Sequence, residues 1–166
     1  MKKHTISALV ENHFGVLARI AGLFSSRGFN IDSLSVGETE DPTISRMTIV
    51  VKGDDRILEQ VTKQLNRLVD VIKVIDLTSQ DFVNRELILI KVNATRTSRS
   101  EIMELVDVFR AKVVDISPST VTIEVTGDES KINAIIGMLQ PFGIQEIART
   151  GKVALLRAFR ENGRAR

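Results

Sequence analysis

The sequence has no cysteine, no tryptophan and no tyrosine among its 166 residues. Without cysteine, disulfides, thiolate nucleophiles and Cys-based zinc sites are excluded. Histidine occurs only twice, as His4 and His13, and neither has a second ligand at a metal-binding spacing. Neither a P-loop nor a Ser-centred nucleophile elbow is present, so no catalytic residues of its own are expected. No apolar run is long enough to span a bilayer and no charged-then-apolar leader stands at the start, so a soluble cytoplasmic protein is expected. Charge of one sign is also scarce: the formal net charge is +2, and much of the excess sits in the last ten residues, "RAFRENGRAR". Such a tail reads first as a solvated end. The acidic group Glu38, Glu40 and Asp41 before Pro42 matches no calcium-loop spacing and reads as a turn.

What the sequence does have is periodicity. Leu17, Ile20, Ala21 and Phe24 recur at helical spacing, as do Ile102, Leu105, Val106 and Phe109, and again Ile132, Ile135, Ile136 and Leu139. A fourth helix from about Asp54 to Leu68 carries Leu58, Val61, Leu65 and Leu68 on one face. Between them lie runs that alternate with period two: Ile6–Val10, Leu34–Val36, Met47–Val51, Ile72–Val74, Ile88–Val92, Val114–Ile116, Val121–Val125, and a last pair around Ile147 and Leu155. The order is βαββαβ, written twice. "KGDDRILEQV" and "TGDESKINAI" repeat one signal, in which a strand ends at Gly53 or Gly127 and an Asp-acid pair opens a helix.

This pattern predicts an α+β chain of two ferredoxin-like modules, each an antiparallel sheet with both helices on one face. The expected domains are 1–78 and 79–166, with the junction near Ser79 to Asn84. The sheet face away from the helices carries Ser, Thr and small apolar residues, which suits a partner sheet or a second copy of the chain, and dimerisation is expected. RNA-binding sheets share this strand order but stack bases on central-strand aromatics. Here Ile6–Val10 and Met47–Val51 contain none.

The two modules open their first helices differently. "SRSE", Ser98 to Glu101, has the form of a capping box. In "ENHFGVLARIAGLFSSRGFNI" there is no Glu or Gln three residues after Asn12, and Gly15 lets another group approach the backbone. The free N–H groups of Val16 and Leu17, at the positive end of the helix dipole, favour a carboxylate. Asn12 and Asn30 add amides that both donate and accept, as a bound zwitterion requires. The same residues are also read as a cap at Asn12 and a left-handed turn at Asn30 after Gly28.

"VENHFGVLARIAGLFSSRGFNIDSL", "DPTISRMTIVVKGDD" and "LEQVTKQLNRLVDVIKVIDL", with "RELILIKV" and "GKVALLR" further on, resemble the small regulatory subunits of acetohydroxyacid synthase, also called acetolactate synthase. The resemblance covers essentially the whole chain. It implies that residues 1–78 form an ACT domain, a unit that dimerises and binds an amino acid between two copies. It implies a subunit without cofactors, serving a large catalytic subunit that carries thiamine diphosphate, magnesium and FAD. It implies activation of that partner and feedback inhibition by valine, with leucine or isoleucine as further effectors. The family's effector positions fall on Asn12, Gly15, Val16 and Leu17 of one chain, with Asn30 and Ile31 from the other. The alternative is a stand-alone amino-acid-sensing ACT module that controls transcription or RNA, supported only by the basic tail.

Overall fold

A computed structural model describes residues 2–158. The elements run β1 Lys2–Glu11, α1 Val16–Ser26, β2 Ile31–Glu38, β3 Ile44–Gly53, α2 Asp55–Asn66 and β4 Val71–Asp76. A second set follows: β5 Phe82–Asn93, α3 Arg99–Val108, β6 Lys112–Ile116, β7 Thr120–Gly127, α4 Glu129–Leu139 and β8 Ile144–Arg149. A single turn of 3-10 helix at Gln140–Phe142 precedes β8, and β9 Val153–Leu156 ends the described chain. The sheets have orders β2-β3-β1-β4 and β6-β7-β5-β8, with β9 pairing to β5. The paired ladders are antiparallel in both. The doubled βαββαβ reading is therefore what the chain adopts. The chain divides into two compact units. Among the described residues, one runs through Val83 and takes back Ala154–Ala158, and the other is Asn84–Val153. The basic tail beyond Ala158 lies outside the described residues.

Period-two alternation builds each core. In the first unit Ile6, Ala8 and Val10 of β1 and Met47, Ile49 and Val51 of β3 meet Val16, Ile20 and Phe24 of α1 and Val61 and Leu65 of α2. In the second, Ile88, Ile90 and Val92 and their β7 partners meet Ile102 and Val106 of α3 and Ile132, Ile135 and Leu139 of α4. Each fully buried Ile, Leu or Phe of this kind contributes about 1.5–3 kcal/mol. His4 lies on the same face of β1, fully buried, with Nε2 3.1 Å from the Gly53 carbonyl. That acceptor places the ring hydrogen on Nε2.

Gly53 and Gly127 have a reason the sequence does not display. Neither takes a positive φ. A Cβ on Gly53 would come within 2.6–2.9 Å of the Ile57 side chain, and one on Gly127 within 2.5–3.0 Å of the Lys131 side chain. The glycine lets the first turn of the next helix fold back against the strand end. Asp54 and Asp128 then cap those helices, accepting from Ile57 N–H at 3.0 Å and Lys131 N–H at 2.9 Å.

One expectation needs correction. Ser98 makes no side-chain bond to the start of α3. The box forms one turn earlier: Thr95 Oγ1 accepts from Ser98 N–H at 3.1 Å, while Ser98 Oγ accepts from Thr95 N–H at 2.9 Å. Thr95 thus acts as the cap and Ser98 takes the place expected of Glu101. The outer face of the first sheet carries Thr5, Ser7, Thr48 and Val50, all of them buried. The corresponding face of the second sheet carries an ion pair of Lys91 with Glu146 at 2.9 Å, with Leu89 partly exposed.

Candidate functional site

α1 begins with its backbone donors unserved by any side chain. Gly15 stands at the cap position with φ 87° and ψ −7°, in the left-handed region, and no side chain caps the helix. The first turn holds no acidic residue. A side chain at position 15 would find open space, with nothing within 4 Å of a Cβ. The glycine is there for the backbone conformation, which an L-residue adopts only at a cost. Positive helix end, first-turn N–H groups that no side chain caps, and free approach together favour an anion there.

Asn12 does not cap this helix. Its side-chain amide donates to the Pro42 carbonyl at 2.9 Å and to Glu38 Oε1 at 3.3 Å, while its own N–H donates to Thr43 O at 2.7 Å. The residue ties the segment before α1 to the β2–β3 hairpin. The hairpin turn is held by Asp41, which accepts from the hydroxyl of Thr43 at 2.7 Å and from its N–H at 2.9 Å. Those bonds hold the Asp41 carboxyl below its ordinary pKa, the side-chain bond contributing most. Glu40 and Asp41 before Pro42 thus lie in a turn, as their spacing suggested, while Glu38 ends β2. Val16 is buried in the core, whereas Leu17 is half exposed and Phe14 fully exposed beside it.

The other end of α1 closes in a Schellman motif. Gly28, at φ 68°, donates to Ser25 O at 3.3 Å, and Phe29 N–H donates to Phe24 O at 3.1 Å. The Phe24 and Phe29 rings meet edge to face at 6.1 Å, the apolar contact that accompanies this ending. Asn30 is exposed and is not left-handed; among described residues other than glycine only Arg110 is. Ile31 opens β2, paired to Val51, which is itself paired to His4.

Asn12, Gly15, Val16 and Leu17 therefore lie together, and Asn30 and Ile31 do not join them within one chain. Eleven residues of helix separate the two groups, about 16 Å of rise. On the sheet, Ile31 lies level with His4, whereas Asn12 follows Glu11 at the far end of β1. If all six serve one ligand, Asn30 and Ile31 come from a second copy. Asn30 is exposed, whereas Ile31 is half-buried against the first core at the start of the edge strand β2.

Around the helix start lies a cluster that residue spacing does not reveal. His13 Nε2 stands 3.1 Å from Glu11 Oε2 and 2.9 Å from Asp70 Oδ1. Arg19, one turn into α1, pairs with the other oxygen of the buried Asp70. The Phe14 carbonyl holds the His13 imidazole above its ordinary pKa against a smaller opposing effect of desolvation, with Glu11 and Asp70 adding to the rise. Asp70 is 57 residues from His13 in the chain, so only the β1–β4 pairing brings it near.

Comparison with known proteins agrees with this architecture module by module. Residues 6–73 match a family model described as the AHAS small subunit-like ACT domain, and residues 85–158 match one described as the small subunit of acetolactate synthase. The chain is 58% identical to a probable acetolactate synthase small subunit of Archaeoglobus fulgidus, over 93% of this chain and 97% of that one. It is 54% identical to the acetolactate synthase small subunit of Mycobacterium bovis, over 99% and 98% of the two chains. The crystal structure of the Thermotoga maritima acetolactate synthase small subunit superposes with a TM-score of 0.86 at 45% identity, over 96% of this chain and 99% of that one. Identity of this extent over nearly the full length of both partners is decisive: the chain belongs to the acetolactate synthase small-subunit family.

Proposed function

We propose that this chain is the regulatory subunit of a two-component acetolactate synthase of branched-chain amino acid biosynthesis. It activates a large catalytic subunit in the cytoplasm and makes that subunit sensitive to valine. The carbon–carbon chemistry on pyruvate belongs to the large subunit, which supplies thiamine diphosphate, magnesium and FAD. The observation that carries the reading is the start of α1, where Gly15 is left-handed and no side chain caps the first turn. The carboxylate of valine takes the N–H groups of Val16 and Leu17, and Asn12 borders it from the hairpin side. Asn30 and Ile31 of a second copy close the site, so the effector binds between two ACT domains of a homodimer.

Binding at a dimer interface gives valine leverage over the catalytic partner. An effector shifts a two-state complex only by its difference in affinity for the two states. A ligand shared by two chains has such a difference whenever the states differ in how the chains meet. Residues 1–78 hold the effector in this scheme, and residues 79–166 add dimer contacts or grip the large subunit. Calorimetry with valine, leucine and isoleucine, paired with acetolactate formation by the large subunit with and without this chain, tests the reading. The expected result is saturable valine binding, higher turnover in the complex, and loss of that turnover as valine is added. A chain that binds none of the three amino acids and leaves the large subunit unchanged would overturn it.

A further inference from the structure

We propose that Glu11, His13 and Asp70 form a binding site for a divalent transition-metal cation such as zinc, beside the residues of the proposed effector site. The three ligand atoms lie within 4.8 Å of one another. His13 Nδ1 is 3.3 Å from the Phe14 carbonyl, an acceptor that places the hydrogen on Nδ1. Nε2 stands 3.1 Å and 2.9 Å from two carboxylate oxygens, so it carries a second proton that bonds to Glu11 unless a metal ion takes its lone pair. Two carboxylate oxygens at those distances call for a positive charge among them, which either that proton or a metal ion supplies. A second proton on Nε2 would bond well to one carboxylate at a time. A metal ion serves both together: ligands about 2.0–2.1 Å from zinc in a tetrahedron stand roughly 3.3 Å apart, near the two distances from His13 to its carboxylates.

The surroundings are those of a metal site. The backbone acceptor on Nδ1 fixes the imidazole tautomer and ring orientation, and Arg19 holds the second oxygen of Asp70, so two ligands are oriented from behind. The backbone is fixed as well, because Glu11 N–H donates to Asp70 O at 2.8 Å and locks the strand carrying one ligand to the residue carrying another. Asp70 is buried, while Glu11 and His13 are about half exposed, so solvent reaches the cluster from one side. One nitrogen and two oxygens with an open fourth position match a three-ligand zinc site completed by water. Imidazole with carboxylates suits zinc and its first-row neighbours better than magnesium or calcium, which prefer oxygen alone.

The test needs neither the catalytic subunit nor an amino acid, so its failure leaves the effector reading untouched. Full-length protein stripped with a chelator is titrated with zinc chloride by calorimetry and with cobalt(II) by visible absorption. The expected result is one ion per chain, with cobalt giving the strong absorption of a tetrahedral site. His13→Ala should abolish the cobalt spectrum. Glu11→Gln, at an exposed position that keeps the fold, should weaken zinc binding by at least ~10-fold, the lower end of losses seen when only a supporting partner is removed. Circular dichroism checks that both variants remain folded. Absence of saturable binding to the parent chain, or identical isotherms for the parent and both variants, would overturn the proposal and leave His13 as an imidazolium between its two carboxylates.

Discussion

Replacing Gly15 by aspartate tests the helix-terminus model most directly, and the structure fixes what else the change does. Gly15 sits at φ 87°, so any L-residue there carries left-handed strain of about 1–2 kcal/mol, somewhat less for Asp or Asn. No clash adds to this, because nothing lies within 4 Å of a Cβ. For a chain of this size each kcal/mol lowers Tm by roughly 2–4 °C, which leaves the protein folded at assay temperature. The new carboxylate would take the N–H groups that the effector needs and repel its charge. Charge-assisted hydrogen bonds contribute about 1.5–3 kcal/mol each, so losing one such interaction weakens valine by roughly 10–150-fold. Gly15→Asn is the matched control, with the same shape and backbone demand but no charge. Gly15→Ala imposes the strain without any polar group. The assay is acetolactate formation by the complex against valine concentration, with dimerisation checked by sedimentation. The aspartate variant should be active and valine-insensitive, with the alanine variant within a few-fold of the parent and the asparagine variant between. An aspartate variant that keeps the parental inhibition curve refutes the carboxylate site at α1.

The purified chain alone, supplied with pyruvate, thiamine diphosphate and magnesium, should form no acetolactate, and measurable product would show a catalytic centre that the regulatory reading lacks. Gly53→Ala should destabilise by about 1–3 kcal/mol in a denaturant titration, because the Ile57 Cβ itself stands only 2.8 Å from the new methyl group. Gly22→Ala, in an exposed part of α1 with open space around it, should stabilise by about 0.5–1 kcal/mol in the same measurement, so equal effects at the two glycines would refute the packing argument. Asp32, held by Lys52 at 3.0 Å and Lys3 at 3.4 Å, has a carboxyl pKa lowered chiefly by its bond to Lys52. A depressed folded-state pKa stabilises at neutral pH, and that stabilisation disappears as pH falls through the folded value, below the ordinary carboxylate range near ~4. Asp32→Asn should therefore cost about 0.5–1 kcal/mol at pH 7, a modest figure for a partly exposed group, and nothing at pH values where the parent carboxyl is protonated. A constant difference across that range in thermal melts would count against the ion pair.

The elements were legible because their signals are local and repeated. Helix stripes such as Ile132–Leu139 and alternating runs such as Ile88–Val92 each reflect which neighbours a side chain meets within one element, and both cores use those residues. Cap details were less legible because several oxygens compete for the same donors. Thr95 and Ser98 stand three residues apart, as do Ser98 and Glu101, and only the three-dimensional turn shows which pair closes. The cluster at His13 was not legible at all. Its buried member, Asp70, arrives through strand pairing from 57 residues away, and no spacing rule reaches that far. At the proposed site the sequence drew attention to Gly15 and Asn12 but offered capping as a rival for Asn12. The bonds from Asn12 to Pro42 O and Glu38 remove that rival and leave the donors of α1 unserved by any side chain.

The duplication makes the first helix opening more informative than it would be alone. Both units solve the end of their first helix in the same way. Gly28 closes α1 at φ 68°, and Arg110 closes α3 at φ 52°, donating to Asp107 O at 3.1 Å while Ala111 N–H reaches Val106 O at 2.8 Å. The second unit accepts the strain of a left-handed arginine to keep that ending. Arg110→Gly should accordingly raise stability by up to about 1 kcal/mol in a denaturant titration, and a loss would mean that the arginine side chain holds more than its backbone geometry suggests. At the helix starts the units differ in kind. α3 is preceded by a reciprocal Thr95–Ser98 box, with Arg99 reaching the carbonyls of Ser117 and Pro118 at 2.7 Å and 3.2 Å. α1 has a bare left-handed glycine and no box. Since the same fold can cap this position and does so in one unit, the uncapped start in the other is not imposed by topology. A stabilising cap is typically worth about 1 kcal/mol, and its absence from the module matched by the ACT-domain family model supports the small-carboxylate site proposed at the start of α1.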